Sequence, residues 1–357
     1  MFFLNEENSM AKKVIKRAKS AYAAAGVDID SKMNGIASIK AMVKSTRTAG
    51  VLNDIGSFGG FFASPGKGKI LVASTDGVGT KLKIAAMARN HETVGQDIVN
   101  HCVNDILVQG AVPLFFMDYV GISRFEGWIF KQVVSGLCKA CRENGCALLG
   151  GETAEMPGLY PPEEYDLVGT IVGVVDRKQV ITGKSIRPDD VLIGLPSSGL
   201  HTNGYSLARK VVFETARLKP GDIFPGTRKT VAEVLLAVHT SYLKPVTTLM
   251  KSVTIRGMAH ITGGGFPDNV PRVLPKDVNA VFDRASWEVP EVYKFIQRTG
   301  KVDREEMYRV FNMGIGMVVV VRKQDVEKSL AILKKAGTRP VLIGWIEKGS
   351  RQVRLIN

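Results

Sequence analysis

Apolar and polar residues alternate over residues 69–74, and this period of two predicts a strand ending at Asp76. The period lengthens to that of a helix over residues 82–89 and again over 96–109. Residues 112–120 then read as a strand, 125–144 as a long helix, 146–149 as a short strand and 167–175 as another strand. A charged, polar stretch at 176–190 interrupts the pattern, and the same mixture resumes after it. Residues 191–195, 258–261, 315–321 and 341–346 predict strands. Residues 204–215, 231–249, 266–273, 289–299 and 326–335 predict helices. Both periods in both halves predict a mixed α+β / α/β fold of two domains, with no solenoid repeat. The expected division is a helical and linker segment at 1–54, an α/β domain at 55–176 and a second α/β domain at 177–357. Residues 56–68, with Phe58, Phe61 and Phe62, read as a glycine-rich loop.

Glycine and acid punctuate the strand ends. Ser74-Thr75-Asp76-Gly77-Val78-Gly79-Thr80-Lys81 closes the first strand, and Gly150-Gly151-Glu152-Thr153-Ala154-Glu155-Met156-Pro157 reads as a second acidic glycine turn. Glycine admits close approach of backbone to a ligand, and a neighbouring carboxylate can hold magnesium against phosphate. In the first segment, Asp76 is a metal candidate. Gly77, Gly79 and Thr80 can meet phosphate, and Lys81 can neutralise it. The helix that follows carries Asp97, Asn100, Asn104 and Asp105 along one stripe, which predicts a metal and nucleotide face. Glu152 and Glu155 can complete a metal shell. Further on, Ser197-Ser198-Gly199-Leu200-His201-Thr202-Asn203-Gly204 opens a helix with hydroxyls and amides suited to an anion. His201 can donate to phosphate or move a proton. His260-Ile261-Thr262-Gly263-Gly264-Gly265-Phe266 again joins strand to helix, and its glycines suit an anion nest. His91, His101 and His239 read as surface or packing residues. No Walker P-loop and no Gly-x-Gly-x-x-Gly strand-to-helix joint occurs.

Bulk properties narrow the partners. The 48 Lys and Arg against 34 Asp and Glu leave a net charge of +14, which attracts phosphates or nucleic acid. The basic residues are scattered, and aromatics, at 7%, do not interleave with them, so no nucleic acid partner is expected. The first residues, Met1-Phe2-Phe3-Leu4, turn polar too soon for a signal segment, and no run is long enough to span a bilayer. Cys102, Cys138, Cys141 and Cys146 read as free thiols in a reducing cytoplasm, with Cys138-x-x-Cys141 on a helix rather than in a metal knuckle.

In their order along the chain these segments resemble the phosphoribosylformylglycinamidine cyclo-ligase (aminoimidazole ribonucleotide synthetase) family. The carriers are Ala25-Gly26-Val27-Asp28-Ile29-Asp30, residues 75–81, Val103-Asn104-Asp105, residues 150–157, 199–209 and 259–266, and Met307-Tyr308-Arg309-Val310-Phe311-Asn312. The resemblance implies ATP-dependent ring closure of formylglycinamidine ribonucleotide to aminoimidazole ribonucleotide in purine synthesis, with release of ADP and phosphate through a phosphorylated amide. It implies a cytoplasmic homodimer whose N-terminal domains share a β-barrel. ATP and Mg2+ are the implied cofactors, and a monovalent cation is compatible with them. By the same likeness Asp76, Asn104, Asp105 and Glu152 would hold metal, with Asp97 in support, and Gly77, Gly79, Thr80 and Lys81 would meet ATP. His201, Thr202, Asn203, Gly263, Gly264 and Gly265 would bind substrate, and His201, Lys81 and His260 would take part in catalysis. Two departures stand out. Ser31-Lys32-Met33-Asn34-Gly35 places a glycine later than the family does. Val238-His239-Thr240-Ser241-Tyr242-Leu243 lacks the family's arginine.

Overall fold

The computed structural model of the chain describes Leu52, residues 60–64 and residues 66–357. Leu52 aside, the expectations for residues 1–54, including 25–30 and 31–35, lie outside the described residues.

Strands β1 (Gly60–Ala63), β2 (Lys69–Gly77), β3 (Val112–Ile122), β4 (Ala147–Glu155) and β5 (Tyr165–Asp176) form a first sheet in the order β1-β2-β5-β3-β4. Helices α1 (Lys81–Ala88), α2 (Glu92–Leu107) and α3 (Gly127–Glu143) accompany it. Strands β3 and β4 are parallel, and α3 is the crossover that a parallel pair requires. Along β5 burial alternates strictly. Tyr165, Leu167, Ile171 and Val175 face the helices, while Val168, Thr170, Val172 and Val174 face the other way.

The second half builds a six-stranded sheet from β6 (Val191–Pro196), β7 (Gly257–His260), β8 (Val278–Asp283), β9 (Ile315–Val321), β10 (Val341–Lys348) and β11 (Val353–Ile356). Its order is β11-β8-β10-β6-β9-β7. Every residue of β9 is buried, as its unbroken apolar run requires. The helices are α4 (Tyr205–Arg209), which continues as a π-helical turn at Lys210–Thr215, α5 (Val231–Leu235), α6 (Leu243–Met250), α7 (Gly265–Asn269), α8 (Glu291–Gly300), α9 (Arg304–Val310) and α10 (Val326–Lys335). Helix α2 packs on β2, β3 and β5 on one side and meets α6 on the other, so residues 94–107 are all buried.

Four expectations need correction. The helix expected over 231–249 is two helices, because residues 236–242 leave the helical path to bond with α2. The second acidic glycine segment is no turn: Gly150–Glu155 belong to β4, in parallel register with residues 117–122 of β3. Part of the expected loop at 56–68 is β1, antiparallel to β2. Strands β8 and β11 and helix α9 were not predicted. The 278–283 strand is a short apolar run, and its strand identity comes from pairing with β10 and β11.

Candidate active site

Four of the five histidines converge where the two sheets meet: His101 from α2, His201 from the loop before α4, His239 from the 236–242 loop, and His260 from the end of β7. Two carboxylates close the group. Asp76 Oδ2 lies 2.9 Å from His101 Nε2, and Asp105 Oδ2 lies 3.5 Å from the same nitrogen. Asp105 Oδ1 accepts from His260 Nδ1 at 2.8 Å, and Ser74 Oγ donates to Asp105 Oδ2 at 3.2 Å. The contacts continue from His101 Nδ1 to Thr202 Oγ1 at 2.8 Å, on to His239 Nδ1 at 3.5 Å, and from His239 Nε2 to His260 Nε2 at 3.1 Å.

One assignment of protons satisfies every link. His101 donates from both nitrogens, the Thr202 hydroxyl donates to His239, His239 donates to His260, and His260 donates to Asp105. Electrostatics agree with it. Burial opposes charge on His101, but Asp76 and Asp105 overcome it and hold its pKa well above the usual imidazole range. Burial keeps His201, His239 and His260 low, with neighbouring positive charge adding to the effect and Asp105 opposing it at His260. Burial would raise Asp76 and Asp105, yet His101 outweighs it and leaves both below the usual carboxylate range. The result is one imidazolium between two carboxylates, in ring contact with the neutral imidazoles of His239 and His260. The Asp76 side chain is 48% exposed, so the chain of contacts opens to solvent there.

His201 stacks on His239 with ring centroids 3.9 Å apart. Its Nε2 accepts from the backbone of Ser198 and Thr240 at 3.3 and 3.4 Å. The proton therefore sits on Nδ1, which is buried and has no partner among the described residues. A buried donor left unpaired is costly and marks a place for an acceptor from outside.

The stripe on α2 divides by function. His101 and Asp105 face the cluster. Asp97, Asn100 and Asn104 instead hold the 236–242 loop. Asp97 Oδ1 accepts from His239 N at 2.7 Å, Asn100 Nδ2 donates to His239 O at 2.7 Å, and Asn104 bonds both Thr240 O and Tyr242 N at 2.8 and 2.9 Å. This corrects the expected metal face: Asn104 spends its polar atoms on backbone, and Asp97 divides its two oxygens between the His239 backbone and the Lys81 ammonium. Lys81 differs in the same way. It is fully buried, 2.7 Å from Asp97 Oδ2, and it donates to His201 O and Ala237 O. Its three protons are thereby used, so the phosphate contact expected of it is replaced by a structural one.

Glu152 is also displaced from its expected place. Across the sheet, Asp76, Gly169, Asp118 and Gly151 form one row, and Gly77, Val168, Tyr119 and Glu152 form the next. Adjacent rows point to opposite faces, and three strand spacings of about 4.8 Å put Glu152 roughly 14 Å from Gly77. Within one chain it does not join Asp76 and Asp105.

The glycine segments behave differently from one another. Gly79 adopts φ 70°, is exposed, and leads into α1 beside the exposed Thr80. Gly263, Gly264 and Gly265 form a braced turn, with Asn269 Nδ2 donating to Thr262 O, Gly263 O and Gly265 O. Gly265 has φ 57°, and a Cβ there would stand 1.9 Å from Tyr308 O, so only glycine fits. Asn203 Oδ1 lies 3.0 Å from where a Gly263 Cβ would be, so the two expected substrate segments touch.

Sequence reasoning missed His101 and His239. The one available signal was that His101 shares a helical face with Asp105, at i and i+4. It also missed Arg272, whose guanidinium feels Asp105 and Asp268. Arg272 lines a cleft of about 450 Å³ with Gln109, Thr182 and Met258.

Comparison with known proteins places the chain in a family. Residues 48–175 match the AIR synthase related protein, N-terminal domain, and residues 187–356 match the AIR synthase related protein, C-terminal domain. The chain is 48% identical over 340 residues to the phosphoribosylformylglycinamidine cyclo-ligase of Alkaliphilus oremlandii, covering 94% of this chain and 100% of that one. Over 337 residues it is 49% identical to the enzyme of that name from Geotalea daltonii, covering 94% and 97%. Thiamine monophosphate kinase from Aquifex aeolicus shares the fold at TM-score 0.61 and 15% identity, over 92% of this chain and 98% of that one. The hydrogenase maturation protein HypE in complex with ATP does so at TM-score 0.60 and 17% identity, over 87% and 85%. The extent and identity of the match to the first two proteins show that the chain belongs to the phosphoribosylformylglycinamidine cyclo-ligase family.

Proposed function

We propose that the chain closes the imidazole ring of aminoimidazole ribonucleotide from formylglycinamidine ribonucleotide, at the expense of ATP. The formyl amide oxygen takes the γ-phosphoryl group and ADP leaves. An amidine nitrogen of the same molecule then attacks the activated carbon, and phosphate departs. The carrying observation is the pair of ionised carboxylates, Asp76 and Asp105, bracketing the His101 imidazolium beside three neutral histidines. Phosphoryl transfer needs charge stabilisation and positioning more than covalent chemistry, and ring closure needs the nucleophile held close to its target.

Magnesium fits Asp76 and Asp105. Both offer hard oxygen donors kept ionised, and Asp76 reaches solvent, where a nucleotide can arrive. When bound, the ion offsets negative charge on the phosphates. His101 orients both carboxylates. Gly77, Gly79 and Thr80 meet the phosphates at the start of α1. His201 Nδ1 donates to the transferring phosphoryl group or the activated oxygen, which supplies its missing acceptor. Asn203 with Gly263 and Gly264, and Arg272 across the cleft, hold the ribose phosphate. His260 positions Asp105, while Lys81 and Asp97 hold the loops that carry His201 and His239.

A homodimer fits the face of the first sheet turned away from its helices. Leu71, Phe115, Val172 and Val174 lie on it, and Val112 and Met117 there are 42% and 39% exposed. A second copy meeting this face would complete the shared barrel that the resemblance implies. Among the described residues no helix is long and apolar enough to cross a membrane.

The test is ADP release with purified protein. Turnover should require formylglycinamidine ribonucleotide and magnesium together. Asp105→Asn should lower kcat/KM at least about a hundredfold, equal to about 2.7 kcal/mol of barrier, while the fold survives. ADP release without that substrate, or an Asp105→Asn enzyme with unchanged kinetics, refutes the assignment.

A further inference from the structure

Three of the four cysteines gather at the end of α3, away from the histidines: Cys138, Cys141 and Cys146. The helix stops in a Schellman turn. Cys146 N donates to Cys141 O at 3.0 Å, Gly145 N donates to Arg142 O at 3.2 Å, and Gly145 takes φ 67°. This turn brings the side chain of the residue just past the helix against the one five positions earlier, a contact usually made by two apolar residues. Here both are cysteines. The two thiols perturb each other, raising the pKa of Cys141 and lowering that of Cys146. Cys141 is buried and Cys146 half-buried, so the more acidic sulfur is also the one a reagent can reach.

The residue between them ties this turn to the histidine cluster. Asn144 Nδ2 donates to Asn100 Oδ1 at 2.8 Å, and Asn144 Oδ1 accepts from Ser241 Oγ at 2.6 Å. Asn100 in turn holds His239 O, and Ser241 belongs to the 236–242 loop. A covalent S–S bond of about 2.05 Å is much shorter than any non-bonded sulfur–sulfur contact, so its formation must draw the two ends of the turn together around Asn144.

We propose that Cys141 and Cys146 form a dithiol modification site for disulfide-bearing oxidants, and that closing it disturbs the loop that carries His239. The Cys146 thiolate attacks one sulfur of an external disulfide, forming a mixed disulfide and releasing one thiolate. Cys141 then attacks the Cys146 sulfur and expels the second. The two protein thiols become one disulfide, the external disulfide becomes two thiols, and these carry both protons.

The test uses the whole protein with oxidised glutathione. The free thiols counted after denaturation should fall from four to two, with peptide mapping showing Cys141 joined to Cys146. Hydrogen exchange in residues 236–242 should speed up, ADP release should fall about tenfold, and reductant should restore both. Cys146→Ser, and as a second variant Cys141→Ala, should keep their turnover and lose their response to the oxidant. Four thiols remaining, a Cys138–Cys141 link, or a disulfide that leaves both loop exchange and turnover unchanged overturns the proposal. The activity readout rests on the function proposed above, whereas thiol count and loop exchange do not. A reduced protein without turnover would therefore refute that function and leave these two to decide the cysteine site.

Discussion

Helices α2 and α3 lie side by side against the first sheet and have 16 and 17 residues, yet they use their polar residues in opposite ways. Helix α3 is an ordinary amphipathic helix. Ile129, Val133, Leu137 and Ala140 face inward, while Lys131, Lys139 and Glu143 meet water. Helix α2 carries polar residues on its outer side too, but the second half of the chain covers that side. Water cannot solvate Asp97, Asn100, His101, Asn104 and Asp105, so protein groups must do so, and those groups are the loops of the site. A surface helix turns polar residues toward solvent, whereas a covered one can use them to build a site.

The comparison breaks most severely at Asp97. Asp97→Leu leaves the Lys81 ammonium buried without its partner and should cost about 3–5 kcal/mol in denaturant unfolding. Adding Lys81→Met should recover more than half of that loss. A single variant within about 1 kcal/mol of the parent would mean that the ion pair does not hold the covered side together.

Next is the seam between the helices. A Cβ on Gly136 would stand 2.0 Å from Glu92 O, and one on Gly95 would stand 2.2 Å from Val133 O. Gly136→Ala should therefore force the helices apart and cost about 3 kcal/mol. Gly127→Ala, on the same helix, meets only Phe125 at 3.8 Å and should be neutral or slightly stabilising. Equal effects at the two positions would deny the close crossing.

His91 holds the N-cap position of α2, donates its backbone N–H to Gln132 Oε1 of α3 at 2.8 Å, and faces Tyr165 OH at 2.8 Å. Burial, with Arg89 nearby, lowers its pKa from 6.5 to about 4. The unfolded chain then binds more protons between those values, so the stabilisation is present above pH 6.5 and is lost as the pH falls toward 4. The loss should be about 3 kcal/mol at 1.36 kcal/mol per unit. His91→Gln should remove that portion of the slope in unfolding measured from pH 7 to pH 4.

The smallest effect belongs to the exposed side of α3. Lys139 and Glu143 pair at 3.4 Å in water. Glu143→Ala should change stability by no more than about 0.5 kcal/mol, and added salt should erase the difference.

Much of the fold was legible. The period of two over 69–74 lies within a strand, and the helical period over 96–109 lies in a helix as far as residue 107, because local burial follows local pattern. The 231–249 helix failed because its middle turns are claimed by Asp97, Asn100 and Asn104, which are more than 130 positions away in sequence. Gly150–Glu155 failed for a related reason. Glycines that suit a turn become an edge strand when β3 offers a parallel partner. In the site, Asp76, Asp105, His201, Thr202 and His260 were visible as polar residues at strand or helix ends. His101 and His239 were not, since one sits inside a helix and the other in a segment that read as helix.

The sequence by itself determined the alternation of strands and helices, the glycine and acid signals at their ends, and the likeness to one family. These depend on neighbours within a few residues or on the order of motifs. Only the tertiary structure decided which polar residues face water and which face one another. That choice depends on what covers each surface, and here the cover for α2 comes from the other half of the chain. It made Lys81 a buried strut, removed Glu152 from the Asp76 face, and brought together four histidines that no local pattern linked.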